Sequence, residues 1–407
     1  MSESASLLSV DDALERILQL ADALPFERAN IDEAVGRATS ADIAAARTVP
    51  PWDNSAMDGF AVRSEDVAAA PVRLRIVETI FAGQFPTRAI GAGECSRIMT
   101  GGPLPDGADA VVMQERTRRS PSSADVEVLE AVAAGTSVRR RGEDARQGEL
   151  LLTRGTPIGI AEAALLWAQG ITQVEVPRRP RVAILATGDE LCPVGEPADE
   201  KIIDSNSPAL ALATRRAGAI PSSLGIARDT LEDVTRKLTR AQDHDVVLTS
   251  AGVSVGEHDF VKDALDGLGV EMNFWRVAIK PGKPLAVGHK GRTLFFGLPG
   301  NPTSSLVSFE LFVRPALRRM LGHSVVRPPR VRGRCEVDLR KAAGLSHFIR
   351  VTAEWRDGEL WARPLSSQTS GALRSAVGAT HLMLFPEPST SLRAGDPVEL
   401  LPVSWAP

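Results

Sequence analysis

The chain has 407 residues, too many for one ordinary hydrophobic core, so two to four domains are expected. Its 47 Lys and Arg are balanced by 51 Asp and Glu, and a net charge of −4 leaves no basic footprint of the kind a nucleic-acid partner needs. The three cysteines, Cys95, Cys192 and Cys335, are odd in number and far apart, and the six histidines include no HExxH pair, which argues against a disulfide framework and a zinc site. No apolar run approaches the roughly 18 residues of a membrane span, and the opening MSESASLL lacks the basic start of a secretory leader. A cytoplasmic protein with neither membrane nor nucleic acid as partner is the expectation.

In chain order, Ser9 to Asp12 followed by Ala13, Leu14, Ile17, Leu18 and Ala21 predicts a capped amphipathic helix that serves packing. Pro50 to Val62, PPWDNSAMDGFAV, is stiff, polar and irregular, as functional loops are. From Arg73 to Glu130 short β runs alternate with Gly and Pro, which predicts a small β-rich domain inserted between two pieces of another. Thr100-Gly101-Gly102 and Pro105-Asp106-Gly107 are turns within it. Arginine clusters at 139–141, 178–181 and 327–334 fall at loops or boundaries and read as solvated faces.

After a linker at Pro177 to Pro180 the pattern becomes regular. Val182 to Leu185 leads to Thr187-Gly-Asp-Glu190; Ser207 and Pro208 predict a helix cap and first turn; Ile220 to Ile226, Leu231 to Ala241 and Val246 to Leu248 continue the alternation. Phe274 to Ile279 runs into Lys280-Pro-Gly-Lys-Pro284, and Leu294 to Phe296 into Leu298-Pro-Gly-Asn-Pro302, where Asn301 and Pro302 open an apolar helix through Val313. This is a doubly wound, mostly parallel sheet, whose ligand crevice belongs beyond the carboxyl ends of its strands. TGDE, TSAGVSVGEHD, KPGKP and LPGNP all follow strands and should share one rim.

Thr249 to Lys262, TSAGVSVGEHDFVK, reads as strand, Gly-bearing loop and helix, an anion site by geometry. Glu257 and Asp259 would repel a bare phosphate, so either a cation such as Mg²⁺ intervenes or they only cap the helix. Lys280 and Lys283 flank Gly282 and are spaced to bracket an oxyanion. Beyond Arg327, HFIRVTAEW, an Asp357-Gly358 turn, LWARPL, THLMLFP and VELLPV predict a compact antiparallel β unit. The polar stretch SSQTSGALRSAVG within it reads as a loop reaching a neighbouring site.

Together, PPWDNSAMDGFAV, RIMTGGPLPDGADAVVMQE, RGED, TGDEL, DSNS, TSAGVSVGEHDFVK, AIKPGKP and LPGNPTSSLVSFE resemble, in order and over essentially the whole chain, the MoeA family of molybdopterin molybdenumtransferases, which includes the C-terminal domain of gephyrin. The resemblance implies an α/β multidomain chain: a connecting domain (1–45 and 141–176), an inserted β-rich arm (46–140), a molybdopterin-binding sheet domain (177–326) and a C-terminal β-barrel-like domain (327–407). It implies an elongated homodimer with its site at the subunit interface and, as further partners, other molybdenum cofactor biosynthesis proteins. The implied reaction takes adenylylated molybdopterin and molybdate to molybdenum cofactor and AMP, with Mg²⁺ helping.

By the same resemblance the catalytic set is Asp58, Thr100, Asp144, Glu190, Asp229, Asp259, Lys280 and Lys283, with Glu190, Asp229 and Asp259 also holding metal. Thr249, Ser250, Gly252, Val253, Ser254, Gly256, Arg276, Gly282, Pro299, Gly300, Asn301, Ser304, Arg350 and Ser370 are the implied binding residues, and Asp58, Thr100 and Asp144 would act on the partner's pocket. Three departures stand out: Ala251 replaces a glycine of the usual GGVS, Trp52 and Phe60 replace other aromatics, and His347 replaces a commonly basic residue. A scaffolding role needs partner-binding segments beyond this set, and a CinA-like pyrophosphatase would lack KPGKP, SAMDG and the last β domain.

Overall fold

The computed structural model describes residues 7–119, 123–197, 200–251 and 260–406. Helix α1 (Val10–Leu20) begins where the Ser9 hydroxyl accepts the Asp12 N–H, with Asp11 and Asp12 at the positive end of the helix. The sequence groups α1 with the connecting domain, yet its apolar stripe of Ala13, Leu14 and Ile17 is buried in the core of the α/β unit beside Phe312 and Leu317. Hydrophobic periodicity shows that a face is buried, not against what.

Strand β1 (Phe26–Asn30) precedes the arm, which consists of β2 (Gly59–Val62), β3 (Val72–Ile80), β4 (Glu94–Ile98), β5 (Ala110–Met113) and β6 (Asp125–Val128). They lie in the order β5-β2-β4-β3-β6, antiparallel except for β3 with β4. Phe60, Val62, Leu74, Cys95, Val112 and Val126 form the arm core. Gly59 is required there, because a β-carbon would lie 2.1 Å from the Val112 carbonyl oxygen. The chain returns through α2 (Ile160–Ala168) and β7 (Gln173–Pro177), which pairs antiparallel with β1 and so closes the interrupted unit.

The α/β unit follows: β8 (Arg181–Thr187), α3 (Asn206–Arg216), β9 (Ile220–Ala227), α4 (Leu231–Thr239), β10 (Val246–Ser250), α5 (Phe260–Gly267), β11 (Glu271–Arg276), β12 (Ile279–Lys280), β13 (Pro284–Lys290), β14 (Thr293–Leu298) and α6 (Pro302–Ser308). The main sheet runs β9-β8-β10-β14-β13-β11. β9, β8, β10 and β14 are parallel, and β13 is antiparallel to both neighbours, so β11 again points with the parallel set. Val182, Ile184, Val246 and Leu248 enter one core, while Ala183, Leu185 and Val247 enter another on the opposite face. Both faces are covered, which is why these strands are continuously apolar rather than alternating.

Several local expectations are corrected. The segment 274–279 is not one strand: β11 ends at Arg276, and β12 joins a different sheet. Ser207 is not the cap of α3; the Asp204 carboxylate accepts the Ser207 N–H instead, at 3.0 Å, and the helix starts at Asn206. Asn301 precedes α6 without capping it through its side chain. The helix opened there passes through a π-helical turn, Phe309–Val313, and continues to Met320. Its fully buried Glu310 pairs with Arg314 and accepts hydrogen bonds from Ser404. The arginine clusters are not merely solvated, since Arg178 pairs bidentately with Asp245 and Arg179 donates to the carbonyls of Gly218, Glu33 and Val35 across units.

The last unit comprises β15 (Val331–Cys335), β16 (Ser346–Arg356), β17 (Glu359–Pro364), β18 (His381–Phe385) and β19 (Pro397–Pro402). The order β16-β17-β15-β19-β18, with β18 returning to β16, closes a barrel; it is antiparallel except where β15 meets β17. Asp357 (φ 51°) and Gly358 (φ 81°) make the expected hairpin turn. β12 pairs in parallel with the start of β16, which fastens the turn beginning at Lys280 to the barrel.

Candidate active site

Because β8, β10, β14 and β11 point the same way, residues 188–190, 251, 299–301 and 281–283 emerge on one rim of the sheet. Gly252, Val253, Ser254, Gly256, Glu257 and Asp259 lie outside the described residues. Thr249 and Ser250 are buried at the end of β10, and the Thr249 hydroxyl has no hydrogen-bond partner among the described residues. Asn206 ties two rim loops together: its amide donates to Ser250 Oγ at 2.8 Å and to the Gly300 carbonyl at 2.7 Å. Ala251 is held at φ 77°, a left-handed conformation that costs a residue with a β-carbon about 1–2 kcal/mol. A β-carbon at Gly300 would stand 3.2 Å from that of Ala251, so the glycine makes room for the methyl group that the loop carries.

At the acidic end, the Asp189 N–H donates to Asp229 and the Asp229 N–H to Asp189, each at 3.3 Å. The Glu190 carboxylate folds over Gly188 (φ 142°), where a β-carbon would meet its oxygen at 2.4 Å. Among the described residues no group of three acidic, His or Cys side chains is gathered tightly enough to hold an ion. Glu190 and Asp229 are hard oxygen donors of the kind Mg²⁺ takes; Asp259, the third expected ligand, lies outside the described residues.

At the basic end is a cavity of about 650 Å³ lined by Lys280, Gly282, Lys283, Asn301 and Ser304 from the α/β unit and by Ser370 from the barrel, with Pro299 also on its wall. The two units are pinned together there. Asn301 Nδ2 donates to Ser370 Oγ at 3.2 Å, and the Thr303 N–H to the Ser370 carbonyl at 3.1 Å. Gly282 (φ 108°) lies directly over the buried Ser308 hydroxyl, 2.8 Å from where its β-carbon would be, so no larger residue fits at the turn between the lysines. Arg276 ends β11 opposite Pro284, is exposed and does not line this cavity. Arg350 is fully buried and lines an adjoining cavity rather than the one around Lys283.

On the arm, Asp58 Oδ1 accepts both the N–H and the hydroxyl of Thr100, each at 2.7 Å. These two bonds, with the Arg97 charge adding a little, hold the Asp58 carboxyl below the usual carboxylate range. Asp144 stands apart from the pair, its N–H donating to the Val49 carbonyl at 3.1 Å. No hydrogen bond or ion pair among the described residues links Asp58, Thr100 or Asp144 to the sheet rim within the chain. The structure thus gathers the lysines, Asn301, Ser304 and Ser370, and leaves the arm residues as a separate group.

Sequence reasoning passed over Asn206, Asp189 and Gln368 as site residues. Asn206 was available in the DSNS motif, as a polar side chain at a helix start beneath the rim; Asp189 adjoins Glu190. Gln368, which lines both basic cavities, carries no signal short of the fold itself.

Comparison with known proteins bears on all four units. The chain matches the family models described as MoeA N-terminal region (domain I and II) over residues 8–170, Probable molybdopterin binding domain over 183–319 and MoeA C-terminal region (domain IV) over 332–403. Proteins named molybdopterin molybdenumtransferase from Bacillus subtilis and Haemophilus influenzae are each 33% identical to it, covering 98% and 97% of this chain and 95% and 98% of their own length. The crystal structure of a molybdopterin biosynthesis MoeA protein from Pyrococcus horikoshii superposes with a TM-score of 0.83 at 29% identity, covering 98% of this chain and all of the other.

Proposed function

The chain belongs to the MoeA family, and from that premise we propose how its residues carry out molybdenum transfer. It is a transferase of molybdenum cofactor biosynthesis, with molybdopterin and molybdate as its substrates. The observation that carries the assignment of roles is the basic cavity at the sheet rim, closed by a loop of the barrel. Molybdate is a tetrahedral dianion; Lys280 and Lys283 neutralise it, while the hydroxyls of Ser304 and Ser370 and the amide of Asn301 orient its oxygens. The loop after β10 and the rim residues Thr249, Ser250, Pro299 and Gly300 take the pterin phosphate of adenylylated molybdopterin.

Release of AMP requires water to attack the phosphoanhydride, a P–O bond to break and AMP to depart as the leaving group. A carboxylate kept ionised by two hydrogen bonds is a weak base, so Asp58 orients the water or its metal rather than taking the proton. Glu190, Asp229 and Asp259 are the residues that would hold Mg²⁺, which when bound screens the phosphate charge and polarises the bond that breaks. Asp58 and Thr100 meet this pocket from a second copy of the chain, a reading supported by the lack of any hydrogen bond or ion pair between them and the rim among the described residues. We place the reaction in the cytoplasm as a homodimer; among the described residues no helix is long and apolar enough to cross a membrane.

The test is AMP release from adenylylated molybdopterin, Mg²⁺ and molybdate by mixtures of two impaired variants, Asp58→Asn and Lys283→Ala. In a mixed dimer with shared sites one site carries both lesions and the other neither, so activity returns to about a quarter of wild type after random exchange of subunits. No recovery in subunits shown to have exchanged would place the whole site within one chain.

A further inference from the structure

The arm carries a groove of its own, of about 500 Å³, whose walls include Phe60, Arg97, Gln114, Glu115 and Arg119. Strand register shows where it opens. Phe60 of β2 stands opposite Arg97 of β4 on one side and Val112 of β5 on the other. The ladder between β2 and β5 runs one residue past the strands, since the Gln114 N–H donates to the Asp58 carbonyl at 3.1 Å. Side chains alternate faces along a strand, so Asp58 shares a face with Phe60, Arg97 and Gln114. Asp58 and Arg97 are then diagonal neighbours, a relation that brings two positions to about 7–8 Å. The groove therefore begins beside the carboxylate that Thr100 holds.

Arg97 is half-buried, and its guanidinium makes no hydrogen bond or ion pair among the described residues. Other arginines of the arm are occupied: Arg75, Arg116 and Arg118 pair with Glu94, Glu130 and Glu127, and Arg119 donates to the Ser123 carbonyl at 3.4 Å. Two carboxylates are near Arg97, yet neither pairs with it. Glu115 lines the same groove, and Asp58 feels the Arg97 charge while its Oδ1 is taken by Thr100. Asp58 alone would repel a phosphoanhydride. An open guanidinium on the same face offsets that repulsion, and its fork matches two phosphate oxygens.

We propose that Arg97 is a further catalytic residue, carried with Asp58 on the arm of one subunit to the phosphate of the departing AMP in the pocket of the other. This role rests on the transfer reading above; the contact between Arg97 and a phosphate does not. A water oxygen bonds to the phosphorus of the pterin phosphate, and the bridging P–O bond breaks. The electron pair of that bond leaves on the AMP phosphate, and the proton shed by the water goes to solvent. Arg97 donates N–H bonds to the AMP phosphate as charge gathers there, the part an arginine supplied in trans plays in other phosphoryl transfers.

Arg97→Gln should lower AMP release by about a hundredfold or more, and Arg97→Lys should recover only part of it, because a point charge lacks the fork. Free guanidinium ion should restore some activity to Arg97→Ala, which a purely structural role would not allow. Mixed with Lys283→Ala, Arg97→Gln should return to about a quarter of wild-type activity after subunit exchange. Mixed with Asp58→Asn it should not recover, because both lesions then lie on arms. Calorimetric titration with AMP gives a readout apart from turnover: Arg97→Gln should weaken AMP by about tenfold and leave adenosine unchanged. Full activity of Arg97→Gln, its recovery with Asp58→Asn, or an AMP affinity indifferent to Arg97 overturns the proposal. So does failure to recover with Lys283→Ala where Asp58→Asn does recover. A wild type that binds AMP through Arg97 but releases none from adenylylated molybdopterin would retire the transfer reading and leave the contact standing.

Discussion

The basic rim and the acidic arm are built in opposite ways. Lys280, Lys283 and Ser370 meet because a turn of the α/β unit is paired to the barrel through β12 and because Asn301 bonds to a loop residue 69 positions later. Asp58 instead is fixed by Thr100 within one small sheet, with no bond to the rim among the described residues. The first half is therefore sensitive to how domains dock, the second to a single side chain. A substitution at the rim residues that pin the units, Asn301 or Ser370, should disturb geometry, whereas one at Lys283 or on the arm should disturb charge alone.

The largest expected effect is on the rim. Lys283→Ala should lower molybdate-dependent AMP release by about a hundredfold, with a melting temperature within a degree or so of wild type because the side chain reaches into a cavity. Loss of fold instead would mean that Lys283 is part of the domain joint. Asp58→Asn follows, with a fall of about ten- to a hundredfold in AMP release and an unaltered circular dichroism spectrum.

Thr100→Val sharpens the arm half. Thr100 lowers the Asp58 carboxyl, so its hydroxyl extends the ionised range toward acid. Removing that hydroxyl should move the acid limb of the pH–rate profile upward while the plateau changes little. A profile that does not move would show that Asp58 ionisation does not limit the reaction.

Next in size is an effect on stability. His347 is pushed down to about 4 by burial and by the charges of Lys280 and Lys341. With the unfolded value near 6.5, the unfolded chain takes up the proton first, so this contribution is complete above about 6.5 and fades as the pH falls toward 4. His347→Gln should flatten the fall in melting temperature over that window. The smallest effect concerns the rim backbone: Ala251→Gly should stabilise by about 1 kcal/mol or less, relief of left-handed strain being partly offset by the freer unfolded chain. Gly300→Ala should destabilise wild type more than it destabilises that variant, a coupling read from a thermal double-mutant cycle.

Particular residues show what was legible in the chain. Ser9 announces α1, and the buried strands of the sheet announce themselves as unbroken apolar runs, because both signals are local and repeat with the period of the element. The KPGKP and LPGNP loops stand out because a core has no use for them. Ser207 misled, since a serine before a proline is a plausible cap, but the helix already starts at Asn206 and the Asp204 carboxylate accepts the N–H of Ser207 itself. The segment 274–279 misled for a different reason: a continuous apolar run does not reveal that its two ends pair with different sheets.

By itself the sequence determined the alternation of strands and helices and the loops that follow the strands, both properties of neighbouring residues. Only the tertiary structure decided that α1 packs on the α/β unit, that Asn206 joins two rim loops, that Arg350 is buried without a counter-ion among the described residues, and that Gln368 divides one basic cavity from another. The physical reason is that propensity and patterning act over a few residues, while electrostatic and packing partners are chosen by closure of the chain over many tens of residues.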